Sequence, residues 1–357
     1  MAKWRIAGIS FDHMHMGDLL RMVQDHPDAE ICGIFDPDPA KMVGAIAAFN
    51  LPPEAVFTDF DACMATKPDM AILCAATADH ADYSEKLAQH GCHVFVEKPF
   101  AASVDDARRM MAAMDGTGKQ MAINWPLAWV ASHITAKRLI DEGTIGDLIE
   151  VHFYDGNRGP LYHLADKVEV SPEEVERQKP DSWWYKRASG GGSLLDYLGY
   201  GATLGTWYMN GEAPLEVTCV VDEAAGIEVD QHSITVCRYA RGLSKMETRW
   251  GTLTDPWATQ PQPTCGFVFV GTDGTIASPD YANHLTVQTR AHAAHKKIAV
   301  DTLPKGARNG IEYVLACLER GDPVAGPLAP DLCLTAQRIV DTAAASAREK
   351  RTMSLLP

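Results

Sequence analysis

Short apolar runs alternate with amphipathic stretches over the first third of the chain. WRIAGIS (4–10), AEICGIFD (29–36), MAILCAA (70–76), HVFVE (93–97) and QMAINW (120–125) are almost continuously apolar, the pattern of strands buried on both faces. Between them GDLLRMVQDH (17–26), PAKMVGAIAAF (39–49), ADYSEKLAQHG (81–91) and SVDDARRMMAAMDGTG (103–118) read as helices, the last with a serine N-cap and a glycine stop. Strand and helix in strict alternation predict a parallel, doubly wound sheet of the Rossmann kind.

The pattern changes near Trp125. HITAKRLIDEGTIG (133–146) is a helix ending in glycine, and DLIEVHFYDG (147–156) is a strand. A polar, proline-bearing stretch from Asn157 to Trp184 reads as a long loop, and loops of that length are often functional. A glycine-fronted helix, GGGSLLDYLGYGATLGTWYMNG (190–211), comes next. LEVTCVVDE, HSITVCRYA, LSKMETRWG, CGFVFVGTDGTIAS and HLTVQTRA then alternate or are β-rich, and two helices (307–321 and 332–350) close the chain. The expectation is a Rossmann domain over 1–124 and an α/β domain over 125–357. The second domain carries a large, open, mostly antiparallel sheet, and its last helix is able to pack back on the first domain. A sheet with one uncovered apolar face favours a homodimer or homotetramer.

Composition excludes several partners. The formal net charge of -15 and the lack of a dense Lys/Arg stripe argue against nucleic acid. No apolar run approaches the ~20 residues of a membrane span, so no membrane partner is expected. An apolar strand begins almost at once, with no basic leader before it, and the expected location is the cytoplasm. The nine cysteines form no CxxC pair and sit in apolar runs, reading as reduced, buried small hydrophobes.

Candidate chemistry lies mostly where strands end. After the first strand, a dinucleotide fold wants G-x-G-x-x-G, so that backbone can approach a pyrophosphate at a helix N-terminus. This chain keeps Gly8 and Gly17, with Phe11, Asp12, His13 and His15 between them. Fold position more than motif makes Phe11, Asp12 and His13 candidate cofactor contacts. Asp36, at the end of the second strand, stands where a carboxylate accepts both ribose hydroxyls and repels a 2′-phosphate, favouring NAD over NADP. The plainer reading is a turn aspartate in FDPDP. Glu97-Lys98-Pro99 follows a buried strand at the sheet's carboxyl edge, where a lysine can steady a developing alkoxide. Alone, such a lysine is more often a solvated strand-end residue. In the 190–211 helix Asp196 and Tyr200 are four apart and share a face, able to bind a polyol and move its proton. Each singly reads as core or cap. His13 with His15, and His292 with His295, bring no evident third ligand, and no metal is expected. The aromatics Trp125, Trp129, Trp183, Trp184 and Tyr185 either fill a core or line a sugar cleft.

EKP after a fourth buried strand and GGGSLLDYLGY further on, together with ATADHADYSEKLAQHGCHVFVEKPFA, LIDEGTIGDLIEV and FVFVGTDGTIAS, resemble the glucose–fructose oxidoreductase / inositol dehydrogenase (Gfo/Idh/MocA) family over nearly the whole chain. The resemblance implies NAD(P) in the first domain and a sugar, inositol or related diol as substrate. It puts the catalytic lysine at Lys98 and the helix aspartate at Asp196. Where many members carry histidine this chain has Tyr200, as dihydrodiol dehydrogenases do, and a later family aspartate is Thr203.

The resulting expectation is an NAD-dependent enzyme moving hydride to or from a hydroxyl-bearing carbon of a sugar, polyol or glycoside. Lys98, Tyr200 and Asp196 are its catalytic residues. Phe11, Asp12, His13, Asp36, Thr77, His80, Glu97 and Lys98 contact cofactor. Lys98, Trp125, His163, Trp184, Asp196 and Tyr200 contact substrate. A free phenol titrates near ~10, so Tyr200 needs a cation, for which Lys98 is the candidate. The rivals are NAD-assisted glycoside cleavage through transient oxidation and a non-catalytic sugar-binding protein on the same fold.

Overall fold

A computed structural model of the chain describes residues 3–162, 171–222 and 226–357. In chain order its elements are β1 (Trp4–Ile9), α1 (His15–Asp25), β2 (Ala29–Phe35), α2 (Val43–Phe49), β3 (Val56–Phe57), α3 (Phe60–Met64), β4 (Met70–Leu73), α4 (His80–Gln89), β5 (His93–Val96), α5 (Val104–Met114) and β6 (Met121–Ile123). There follow α6 (Ala131–Asp141), β7 (Leu148–Asn157), α7 (Pro172–Gln178), α8 (Ser193–Tyr208), β8 (Glu216–Val221), β9 (His232–Arg238), β10 (Leu243–Trp250), β11 (Gly266–Gly271), β12 (Gly274–Pro279), β13 (His284–Thr289), β14 (His292–Ala299), α9 (Gly310–Arg320), α10 (Pro330–Glu349) and β15 (Met353–Ser354).

Two compact units divide the chain. Unit 1 is Met1–Asn124, Leu161–Gly190 and Lys305–Pro330; unit 2 is Trp125–Pro160, Gly191–Pro304 and Asp331–Pro357. The chain thus leaves the first unit after Asn124 but returns to it twice, with the segment holding α7 and with α9. It is α9, rather than the last helix, that lies in the first unit.

Unit 1 is built on a six-stranded parallel sheet ordered β3-β2-β1-β4-β5-β6. The order reverses between β1 and β4, and in open sheets of this type ligands bind beyond the strands' carboxyl ends at that point. Ile6, Ile9, Ile72 and Phe95 are fully buried, as strands covered on both faces require. Helix α1 lies close over β1 because Gly8 carries no Cβ; an added methyl would stand 3.0 Å from Met16 Sδ.

Unit 2 contains a nine-stranded mixed sheet, β14-β13-β12-β11-β7-β10-β9-β8-β15, in which β7 and β10 run parallel and the other pairs antiparallel. Helices α8 and α6 pack against one face, over Phe153, Met246, Phe267 and Ile276. Val220, Ile234 and Val268 are exposed large hydrophobics of the opposite face. Two glycines of α8 permit its fit: a Cβ on Gly201 would come 2.6 Å from Phe153 Cδ1, and one on Gly199 2.4 Å from Trp125 Cη2. Gly199→Ala should therefore lower stability even though alanine is the better helix former by up to ~1 kcal/mol. Overpacking of this kind costs about 1–3 kcal/mol, so the unfolding temperature should fall by a few degrees. An unchanged or raised unfolding temperature would contradict this packing.

Candidate active site

The carboxyl edge of the parallel sheet is organised around Glu97, the first residue after β5. Its side chain is fully buried, yet each oxygen has a partner: Oε1 lies 2.7 Å from His15 Nδ1, and Oε2 accepts from Asn124 Nδ2 at 2.7 Å. The start of α1, the end of β5 and the end of β6 are thereby tied to one carboxyl group. Lys98 follows directly and is only 4% exposed. Its ammonium lies over the Trp184 ring, 5.5 Å from the centroid, close enough for cation–π attraction. Trp184 stacks on Trp183 at 3.9 Å and meets His13 edge-on at 4.8 Å. Lys98, Glu97, His13 and Trp184 thus come together, joined by His15, Asn124 and Trp183.

The turn after β1 begins with strain. Ser10 has φ 62°, the left-handed region that glycine adopts without cost. Its position relative to Gly8 is that of the second glycine in the dinucleotide fingerprint. The turn is pinned by His13 N–H donating to Cys74 O at 2.9 Å and by Trp183 Nε1–H donating to Asp12 O at 3.0 Å. Asp12 accepts from Ser10 Oγ, Ala76 N and Lys41 Nζ at 2.9, 3.1 and 2.6 Å. Asp36 is fully buried and accepts from Phe11 N at 2.8 Å and Asp38 N at 2.9 Å, with Lys41 Nζ 3.9 Å away. Burial raises its pKa against those donors, which lower it.

Two expected cofactor contacts differ in kind. Thr77 is 1% exposed and, among the described residues, its hydroxyl has no hydrogen-bond partner. A buried orphan hydroxyl at the end of β4 fits a bound polar ligand, since such groups are otherwise costly. His80 corrects the sequence reading. Its Nδ1 faces Phe100 O at 3.1 Å and its Nε2 faces Ala75 O at 3.0 Å. The ring braces the loops after β4 and β5 instead of presenting a nitrogen to the cofactor. With Asp36 near the turn, Thr77 beyond β4 and Gly8 beneath α1, the residues of unit 1 fit a dinucleotide.

The metal reading also changes, because Glu97 supplies the third ligand type that His13 and His15 lack in sequence. Ligand atoms of the three lie within 4.8 Å of one another. Several of these atoms are already engaged: His13 Nδ1 accepts from His15 N at 3.2 Å, Glu97 Oε1 lies 2.7 Å from His15 Nδ1, and Glu97 Oε2 accepts from Asn124 Nδ2 at 2.7 Å. His292 and His295 sit an odd number of residues apart on β14, so they point to opposite faces.

In unit 2, α8 carries Asp196 and Tyr200, 4% and 5% exposed. Asp196 Oδ2 accepts from Trp250 Nε1 at 2.9 Å, which fixes the carboxylate. Tyr200 packs edge-on against Trp125 at 5.3 Å. Trp125 is 2% exposed and its indole N–H donates to Cys333 Sγ at 3.4 Å, so it is a packing support for Tyr200 and not the sugar contact the sequence suggests. Thr203, at the later family position, is fully buried. His163 lies outside the described residues.

The last of the three glycines before α8 is explained by Asp230, which no local motif announces. Leu194 N–H donates to Asp230 Oδ2 at 2.8 Å, and Ser193 N–H to Asp230 O at 3.1 Å. An external carboxyl group thus caps the helix. Gly192, at φ 114°, leaves room for it, since a Cβ there would stand 2.8 Å from Asp230 Oδ1. Other residues missed in the sequence are Asn124, Lys41 and Trp250. Asn124 and Lys41 carry a signal only in hindsight, following a strand end and the Asp36 turn. All nine cysteines are free thiols, eight of them buried. Among the described residues no helix is long and apolar enough to cross a membrane.

Comparison with known proteins identifies the class. Residues 4–125 match the family of oxidoreductases with an NAD-binding Rossmann fold (GFO_IDH_MocA), and residues 133–277 match the GFO/IDH/MocA C-terminal domain. The chain belongs to the Gfo/Idh/MocA oxidoreductase family, and residues 4–125 are that family's NAD-binding Rossmann fold. It is similar to an uncharacterized oxidoreductase of Streptococcus pneumoniae, 28% identical over 211 residues, 56% of this chain and 48% of that protein. That alignment spans about half the relative's length. An inositol 2-dehydrogenase of Rhizobium meliloti is 22% identical over 355 residues, 94% of each chain. The crystal structure of an inositol dehydrogenase homolog from Azotobacter vinelandii, complexed with NAD+, shares the fold with a TM-score of 0.80 at 13% identity, covering 99% of this chain and 97% of the other.

The Asp230 cap predicts a pH effect. Burial lifts its pKa from 3.8 to about 6, against the Leu194 N–H that lowers it. Between those values the folded chain holds a proton that the unfolded chain has released, so this carboxyl's contribution to stability falls as pH rises. Asp230→Asn removes that slope. Relative to the parent, the variant's unfolding temperature should improve as pH rises across the window; a difference independent of pH would contradict the assignment.

Proposed function

We propose that the protein is an NAD-dependent dehydrogenase acting on a hydroxyl-bearing carbon of a sugar or polyol. The observation that carries this reading is Lys98: an ammonium almost completely buried at the sheet's carboxyl edge, against an indole face and beside a carboxyl group held from two sides. Placing a lysine there costs desolvation, which the steadying of an alkoxide offsets. The full-length likeness to an inositol 2-dehydrogenase supports a polyol.

NAD, when bound, accepts or supplies the hydride. In this chain Asp36 favours the unphosphorylated ribose and Thr77 offers its hydroxyl to the cofactor. Phe11 serves through its backbone N–H, which fixes Asp36. Lys98 steadies the oxygen of the reacting hydroxyl. Tyr200 takes that hydroxyl's proton as hydride leaves the carbon. Asp196, immobilised by Trp250, holds a neighbouring hydroxyl, and Trp184 offers an indole face to the sugar. The exposed Val220, Ile234 and Val268 support association of two or more copies through the open sheet face.

NADH formation at 340 nm, measured over a panel of polyols and aldoses, tests the reading. Wild-type protein should reduce NAD with at least one of them and favour NAD over NADP. Tyr200→Phe and Lys98→Met should each lower kcat by about 10²–10⁴-fold, the usual contribution of a general acid–base group. A Tyr200→Phe protein that turns over like the parent would make Tyr200 a packing residue and overturn its assigned role.

A further inference from the structure

The Asp12 carboxylate is held by three donors of different kinds. Ser10 Oγ and Ala76 N–H reach Oδ2 at 2.9 and 3.1 Å, and the Lys41 ammonium reaches Oδ1 at 2.6 Å. Hydroxyl, backbone amide and ammonium converging on one anion are the contacts a phosphate oxygen takes. The place is also the one a nucleotide's phosphates use in a sheet of this order: the turn between β1 and α1, facing the loop after β4. Ser10 is turned into the left-handed region there, with its hydroxyl spent on Asp12. Lys41 faces Asp12 and Asp36 together. Burial pulls its pKa down, but the hydrogen bond and charge of Asp12, aided by Asp36 and Asp38, hold it above its ordinary value.

We propose that Asp12 is a built-in occupant of the dinucleotide's diphosphate cradle, and that it determines how tightly the chain holds its nucleotide. A diphosphate and the Asp12 carboxylate compete for the same donors and repel one another. Nucleotide binding therefore has to break the Asp12–Lys41 pair and swing the carboxylate aside, after which Lys41 and the Ala76 amide turn to phosphate. The consequence is a cofactor held less tightly than the cradle would hold it without Asp12. The pair is partly solvated, with side-chain exposures of 19% for Asp12 and 40% for Lys41, so its opening requires no rearrangement of the core. The inference rests on the NAD reading above, but concerns a residue whose effect can be measured without turnover.

Calorimetric titration of wild type, Asp12→Asn and Asp12→Ala with inorganic pyrophosphate, ADP and NAD tests it. Asparagine keeps the shape and removes the charge; alanine removes both. Each variant should bind all three ligands at least about tenfold more tightly than wild type, which corresponds to ~1.4 kcal/mol of relieved competition. Variants that bind NAD equally or more weakly, while wild type binds it, would overturn the inference and leave the NAD reading standing. Tighter pyrophosphate and ADP without any NAD binding would uphold the cradle and remove the NAD reading. Should no variant gain affinity for any of the three, Asp12 is not a competitor and the inference fails.

Discussion

The carboxyl edge of the first unit depends on one buried group, the Glu97 side chain. A carboxylate without solvent is tolerated only where its oxygens are satisfied, and here the first residue of α1 and the end of β6 supply the satisfaction. His15 comes from the first residue of α1 and Asn124 from the residue after β6. Losing either would leave a buried acceptor unmet, so the three segments are held in mutual register. Lys98 inherits its place from this arrangement. Its backbone is fixed by the neighbour, and its side chain has the Trp184 face to lie on.

Unit 2 solves a different problem. Its principal helix must lie flat on a sheet while presenting Asp196 and Tyr200 at defined positions. Glycines let α8 approach Phe153, Met246 and Trp125, at the expense of helix propensity. Ring edges and the Trp250 indole then fix Tyr200 and Asp196 in place. The helix begins where Asp230 can cap it. A buried aspartate cluster lies near the same helix: Asp155 and Asp280 are both pushed up by burial, and His133 is drawn down to about 3 while bonded to Asp280 Oδ1 at 2.6 Å.

Most of the fold was legible because hydrophobic periodicity reports burial directly. In the parallel sheet β4 and β6 are buried throughout and β1, β2 and β5 over their carboxyl halves, and their apolar runs leave little ambiguity. What escaped was short or exposed. β3 and β15 have two residues each, too few for any period, and β14, HAAHKKIA, is exposed along nearly its whole length. Helix α7 lies within the polar stretch that reads as loop. Candidate positions could be read where a strand end supplied the context, as for Asp36, Thr77 and Lys98. They could not be read where partners come from distant segments. Trp250 reaches Asp196 across 54 positions, and Asp230 reaches Leu194 across 36. Trp125 and His80 look like ligand contacts by residue type, and only their hydrogen bonds reveal supports. The eroded fingerprint is the converse case: Ser10 adopts the glycine conformation without being glycine, so sequence alone shows a missing motif where the backbone keeps its shape.

If Glu97 is the group that sets Lys98 in place, removing its charge must reach the chemistry. The direct measurement is kcat for NAD reduction by Glu97→Gln, on protein shown by circular dichroism to be folded at the assay temperature. The account predicts a fall of about tenfold or more, because small misplacements of a reacting group are costly. A folded Glu97→Gln protein turning over at the parental rate would contradict it.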